Sequence, residues 1–353
     1  MPVEIPADNW PQTLIVEGWG TSATRTHERL VLRRWEGEGE QRRRVEQEYP
    51  LHDLQEVIFH GSGTSVSTDL LQALVENQIA VCFVDFSGNP YALLSAPGTH
   101  ATVATRRAQL LALDSAAGAH LARGFVEGKL RNQLATLKYV GKNRSDQACA
   151  ELLREGQAGI SAALKRLPDF SPDNPAYFRQ ALMACEGAGA KVYWEALAGV
   201  LQPYVSFSRR EHRGADDPIN VCLNYGYGIL YGRIWQAVIM AGLEPFAGFL
   251  HTDRPGKPSL VLDLAEEFRP GAVDRAVVSF FTRGSSVSLD SDGRLELESR
   301  RRLAAHIIQH MDARHPYKGK MHTLTGIMHQ QARAVASYLR GQSKSYQPFR
   351  MRW

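Results

Sequence analysis

Cysteine is scarce in this 353-residue chain: Cys82, Cys149, Cys185 and Cys222 stand far apart, and no two form a CxxC pair. That scatter excludes a disulfide framework and a zinc knuckle and leaves buried, reduced thiols. No apolar run is long enough to cross a bilayer, and the opening MPVEIPADNW lacks the basic-then-apolar order of an export signal. The expectation is a cytoplasmic protein with no membrane partner. Internal repeats and low-complexity tracts are missing too. HGSGTS at 60–65 is glycine-rich but lacks the Lys-Ser/Thr ending and full glycine spacing of a phosphate loop, so it reads as a plain strand-to-helix turn. Finally, acid is almost missing from one end. From Ser299 onward eleven Lys/Arg face Asp312 alone, leaving 30 bases and 36 acids before it. Such one-sidedness is the footprint of a protein that meets a polyanion, against the plainer alternative of solvated basic helices.

What remains is ordinary soluble-protein material, 44% apolar and 22% charged, in a length that suits about two domains. Period-two or continuous apolar runs (TLIVEGWG, RLVLRRW, EVIFHG, AVCFVDF, YALLSA) predict strands, with one helix over DLLQALVENQ. The Glu/Arg stretch between Trp35 and Tyr49 reads as an exposed hairpin tip. After APGTHAT the periodicity turns helical. Helices are expected over 105–139, 146–167, YFRQALMACEGAGAKVYWEAL, 216–240 and from Pro270 to 283. Then come a hairpin turning at Ser291, Asp292 and Gly293, two basic helices, and the tail SYQPFRMRW, whose arginines and aromatics suit phosphate contact and base stacking or docking on another subunit. The fold class is α+β: a small β-rich domain over 1–96, a linker over 97–102 and a larger all-α domain over 103–353. Asn220 and Asn224, four apart, are expected to hydrogen-bond within the core.

Two places carry chemistry. HTDRPGKPSLVLDLAEEFRP at 251–270 sets His251 before a Pro/Gly loop, then Asp263 and Glu266 three apart, on one face if helical. Carboxylates so placed repel unless a cation lies between them, and a divalent ion with the imidazole as further ligand meets that need. The bland reading is a helix start capped by Ser259, its acids favoured by the dipole. Glu186 lies on or beside the core stripe of its helix, where an unpaired carboxylate is costly. Gly187 and Gly189 follow it inside the helix at about 1 kcal/mol each relative to alanine. Either something must approach Glu186 closely, or a Glu–Arg pair and helix packing explain both features.

Taken in order, these stretches resemble the CRISPR-associated integrase and endonuclease family, "Cas one", the catalytic subunit of spacer acquisition. The resemblance runs through EVIFHGSGTSVSTDLLQALVENQIAVCFVDFSGNPYALL, RRAQLLALDS, GKLRNQLATLKY, CEGAGAKVYWEAL, DDPINVCLNYGYGILYG, FLHTDRPGKPSLVLDLAEEFRP and QARAVASYLRGQSKSYQPF. It implies an N-terminal β-domain that mediates homodimerisation and a helical catalytic domain. It also implies double-stranded DNA as substrate and a small "Cas two" subunit bridging two dimers. The family's catalytic, metal-binding residues fall on Glu186, His251, Asp263 and Glu266. Glu186, His251 and Glu266 are expected as direct ligands, with Asp263 as a fourth ligand or one layer behind. Many members have aspartate where Glu266 stands, one methylene shorter. Hard oxygens plus one imidazole suit Mg²⁺ or Mn²⁺. Such an ion would activate a 3′-hydroxyl for integration or water for cleavage, with phosphates held by the basic end and by Arg254 and Lys257.

Two other classes compete: a DNA-binding scaffold whose carboxylates form only salt bridges, and a hydrolase of small phosphorylated substrates. Within the leading class, a transposon-borne relative is the alternative.

Overall fold

The computed structural model describes residues 13–36, 43–85, 90–94, 103–142, 147–171, 174–211, 216–251 and 254–351. By its internal contacts the chain falls into two units, Met1–Thr99 and His100–Trp353. The expected linker over 97–102 and the hairpin tip at 37–42 lie outside the described residues.

The first unit has two four-stranded sheets. One, in the order β1-β5-β7-β8, pairs β1 (Thr13–Glu17), β5 (Glu56–His60) and β7 (Ala80–Val84) in parallel, with β8 (Pro90–Leu94) antiparallel at the edge. β5 is buried along its whole length, which is why EVIFH reads as a continuous apolar run rather than an alternation. The other sheet, in the order β4-β3-β2-β6, contains β2 (Thr21–Thr26), β3 (Arg29–Glu36), β4 (Arg43–Pro50) and β6 (Thr64–Val66). Leu30 and Leu32 of β3 meet Val57 and Phe59 of β5 and Leu70 and Leu74 of α1 (Thr68–Glu76) in one core. The Glu/Arg stretch expected as a tip is largely strand: β4 pairs with β3 from Arg43 to Pro50, and Arg33 meets Glu46 at 2.7 Å across the pair. β2, TSATRT, has no apolar alternation to betray it. It is a strand because β3 supplies the apolar residues beside it.

Among the described residues the second unit is helical apart from one short hairpin and one antiparallel bridge, Leu289 with Leu295, at the expected turn over 291–293, so the α+β class holds while the all-α description of this unit needs that correction. Its helices are α2 (Val103–Ala112), α3 (Ala116–Gly141), α4 (Gln147–Lys165), α5 (Pro175–Leu201), α6 (Pro218–Met240), α7 (Ser259–Ala265), α8 (Arg275–Thr282), α9 (Leu297–Asp312) and α10 (Leu324–Leu339). The hairpin of β9 (Arg314–Tyr317) and β10 (Lys320–Thr323) separates the last two. The helix expected over 105–139 is broken between α2 and α3. Ser115 accepts from the amides of Ala117 and Gly118 and so starts a new helix. The bend is tight enough that a Cβ on Gly118 would lie 2.2 Å from the Ala112 carbonyl and 2.9 Å from the Phe249 ring. Asn174 caps α5 and Asp217 caps α6, each ahead of a proline in the first turn. Ser259 is not a cap; it lies inside α7, behind Pro258.

Between α7 and α8 the chain forms a π-helical turn, Arg269–Asp274, fully buried beyond Arg269. The widened turn is held from outside: the Thr136 hydroxyl donates to the Pro270 carbonyl, and His310 bonds that of Gly271 at 2.7 Å. The tail is also part of this core rather than a free arm. Tyr346 and Phe349 are 2% and 1% exposed, and Phe349 stacks on Phe268 at 5.0 Å. The expected base-stacking role for these two rings is therefore corrected; Arg352 and Trp353 lie outside the described residues. Among the described residues no helix is long and apolar enough to cross a membrane. Cys82, Cys149 and Cys222 are buried and Cys185 half-buried, and none of the four is in a disulfide.

Candidate active site

Four elements of the helical unit meet around one lysine. Lys129 projects from α3, and its ammonium donates to Oε1 of Glu186 on α5 and lies 2.6 Å from Oε2 of Glu266, just past α7. The other oxygen of Glu266, Oε1, is 3.2 Å from the Arg269 guanidinium. Burial works against both charges here, but ion pairing wins. Lys129 is held above its ordinary range by the two glutamates, and Glu266 below its own by Arg269 and Lys129. The cluster is closed below and open above. The side chains of Glu266 and Lys129 are 4% and 11% exposed, against 25% for Glu186 and 24% for His251.

Asp263 is fully buried and does something different. Its Oδ2 accepts from the amides of Phe249 (2.6 Å) and Leu250 (2.8 Å), and its Oδ1 from the amide of His251 (3.0 Å) and from His251 Nδ1 (2.6 Å). A carboxylate offers about four lone-pair sites, and all are used. The close approach needs Gly248, where a Cβ would lie 2.9 Å from Asp263 Oδ2. Asp263 is thus not free to be a fourth ligand; it holds the 249–251 turn and the imidazole. Because a carboxylate can only accept, Nδ1 is the donor of this hydrogen bond, and in the neutral ring the lone pair is then on Nε2. The expectation that Asp263 and Glu266 share a cation is corrected likewise, since their carboxyls take separate partners.

The sequence-derived set is therefore brought together in part. Glu186 and Glu266 meet through Lys129, and His251 stands near enough to Glu266 for the two to interact electrostatically whenever the imidazole is protonated. Yet among the described residues no three His, Cys, Asp or Glu side chains stand close enough to grip one ion. In donor type the residues fit a hard divalent cation: two carboxylates and an imidazole with a directed lone pair. Oε2 of Glu266 has the Lys129 ammonium as its partner, at 2.6 Å. The spacing is what the ammonium sets.

Sequence reasoning missed Lys129, although a signal existed. Lys129, Asn132, Gln133 and Thr136 follow helical spacing on α3, and all are 9% exposed or less. A polar stripe on a buried face marks a bonded network. Asn132 donates to the carbonyls of Glu267 and Phe349 and accepts from the Met351 amide. Glu267 takes Tyr346, Gln331 and the Phe349 amide; burial raises its carboxyl to about 8 in spite of these donors. Also missed was the layer beneath the site. Arg269 donates to Tyr231 and lies over the Tyr227 ring, and Tyr227 and Tyr193 both donate to Asp274. Asn220 and Asn224 are joined through Arg210, which donates to both.

The glycines after Glu186 divide between the two readings offered for them. A Cβ on Gly189 would strike Leu130 Cδ2 at 2.2 Å, so that glycine serves helix packing. A Cβ on Gly187 would meet nothing within 4 Å, so no packing contact requires a glycine there.

The arrangement is that of a two-unit α+β protein with a carboxylate–imidazole centre built into its helical unit. The family model for CRISPR associated protein Cas1 matches residues 14–309, and the chain belongs to that family. It is similar to the CRISPR-associated endonuclease Cas1 1 of Archaeoglobus fulgidus, with 33% identity covering 96% of this chain and 99% of that one. In fold it is similar to a casposase bound to its integration product, at TM-score 0.78, 22% identity and coverage of 95% and 92%. It is also similar in fold to a chain of a Cas6-RT-Cas1–Cas2 complex, at TM-score 0.68 and 22% identity, covering 96% of this chain and 36% of that one.

Proposed function

We propose that this chain is a divalent-metal-dependent DNA endonuclease and integrase of CRISPR adaptation, acting in the cytoplasm. Short DNA fragments would be inserted into a repeat array by attack of a 3′-hydroxyl on a phosphodiester, with hydrolysis as the water-driven counterpart. The observation that carries this reading is the pairing of Glu186 with Glu266 beside a histidine whose Nδ1 is fixed by a buried aspartate. Glu186, Glu266 and Nε2 of His251 would hold Mg²⁺ or Mn²⁺, which when bound polarises the phosphoryl oxygen and lowers the pKa of the attacking hydroxyl. Asp263 orients the imidazole through Nδ1, and Arg269 fixes Glu266. The exposed cations Arg302, Arg314, Lys318, Lys320 and Arg333, with Arg254 near the site, would grip phosphates without reading bases.

As partners we propose double-stranded DNA, a second copy of the chain and a small Cas2-type subunit between two dimers. Exposed Trp19, Trp35 and Tyr91 on the β-rich unit suit the dimer contact. The deciding experiment is Glu186→Ala assayed with Mn²⁺. Strand transfer and cleavage are expected to vanish while DNA binding persists; survival of both at ordinary metal concentration refutes the reading. One observation favours the scaffold alternative: the glutamates already have a cationic partner in Lys129. In that case Glu186→Ala leaves every DNA-dependent activity of the protein as it was.

A further inference from the structure

We propose that Lys129 is a resident counter-cation, holding Glu186 and Glu266 together in the metal-free protein and lying in the space a divalent ion needs, so that it sets the metal affinity of the site. The inference rests on the proposed reading that these two glutamates bind the ion, and it concerns a residue outside that ligand set.

The geometry is direct. One ammonium touches a carboxylate oxygen from α5 and another from the end of α7, two segments that bring like charges into one small region. Without a cation between them the pair repels, and at low effective dielectric that repulsion is large. Arg269 does not do this work, because it meets only the far oxygen of Glu266. Lys129 also has little freedom to be elsewhere. Its stem leaves a buried helix, it is 9% exposed, and Gly128 beside it is pressed against Glu267 and Pro348, where a Cβ would lie 2.8 and 3.0 Å away.

The charges of Glu186 and Glu266 are cancelled by those of Lys129 and Arg269. A neutral cluster attracts a dication weakly, so an ion must displace the ammonium before it can use both carboxylates. This explains why the donor set is right while no three donors stand close enough for an ion. The site is drawn in around a monovalent, hydrogen-bonding cation.

The test measures Mn²⁺ binding by electron paramagnetic resonance of the free ion, in parallel with thermal melting. The whole chain is used as wild type, Lys129→Met, Lys129→Gln, Lys129→Arg and Glu186→Gln. Removing the ammonium is expected to lower the melting temperature of the metal-free protein and to tighten Mn²⁺ binding at least tenfold, with Mn²⁺ restoring the lost stability. Lys129→Arg, which keeps the charge, should bind Mn²⁺ about as weakly as wild type. If Lys129→Met does not fold, Lys129→Gln, which keeps a hydrogen bond to the carboxylates, gives the same reading. Binding that is unchanged or weaker in both neutral variants, while wild type binds and Glu186→Gln does not, overturns the inference and leaves the metal site standing. Absence of Glu186-dependent Mn²⁺ binding in every variant overturns the metal reading itself, and this inference with it.

Discussion

Asp263 shows how one residue can be located from sequence while two roles stay open for it, ligand or support one layer behind, until its hydrogen bonds are seen. Its place near His251 and Glu266 was legible in the sequence; its saturation by three amides and an imidazole was not, because backbone donors leave no trace in composition. Asp263→Asn is expected to lose on the order of 2–3 kcal/mol, since an amide nitrogen faces donors that a carboxylate oxygen accepted. It should also release His251 from its tautomer. Chemical denaturation reads the first effect and the imidazole nitrogen shifts read the second. Asp274 makes a pH prediction. Burial between Tyr193 and Tyr227 raises its carboxyl to about 6, the tyrosine hydrogen bonds pulling the other way. The folded chain then keeps a proton that the unfolded chain releases. The resulting stabilisation is fully present below the usual carboxylate range and is lost as pH rises through about 6. Relative to Asp274→Asn, wild type should gain about 1–2 kcal/mol between pH 7 and pH 5 in urea titrations; a flat difference would contradict the assignment.

At the level of elements, the helices with long apolar stripes and sound caps were legible, and so were the strands that carry apolar runs. The misses have local causes. β2 borrows its burial from β3, α2 and α3 part at a serine cap inside an unbroken periodicity, and the β9–β10 hairpin is too short and polar to announce itself. The tail misled for a further reason. SYQPFRMRW has the composition of a nucleic-acid-binding arm, but its rings pack on α3 and the turn around Phe268, and its amides bond Glu267 and Asn132. Removing 341–353 should therefore lower the melting temperature sharply and reduce soluble yield, whereas a free arm would leave melting unchanged. Tyr346→Phe isolates one part of this and is expected to cost about 1–3 kcal/mol, because Oε1 of buried Glu267 loses its donor while Oε2 keeps Gln331 and the Phe349 amide. α5 offers an internal control. Gly189→Ala should destabilise by about 1–3 kcal/mol through Leu130, while Gly187→Ala should stabilise by up to about 1 kcal/mol. A loss of DNA cleavage in the more stable Gly187→Ala variant would then report a backbone that no longer fits.

On the scale of the molecule, the charge asymmetry was plain in the sequence, and much of it is displayed. Arg314, Lys318 and Lys320 are exposed on the hairpin, which turns through a positive φ at Lys318 and Gly319. Replacing these three by glutamine is expected to weaken DNA binding uniformly across sequences. It should also flatten the slope of log K against log salt by up to about 0.9 for each phosphate no longer neutralised. An unchanged slope would remove the hairpin from the interface. The way α3 is tied to the tail has a temporal side as well. Asn132 bonds Phe349 across 217 positions, and Lys129 waits for Glu266 on a segment held by the same network. Closing so long a loop carries an entropic cost that nearby contacts do not repay, and chains dominated by such distant pairings fold slowly. A half-folded chain would therefore lack the Lys129–Glu186–Glu266 cluster until α3, the 266–269 segment and the tail had come together.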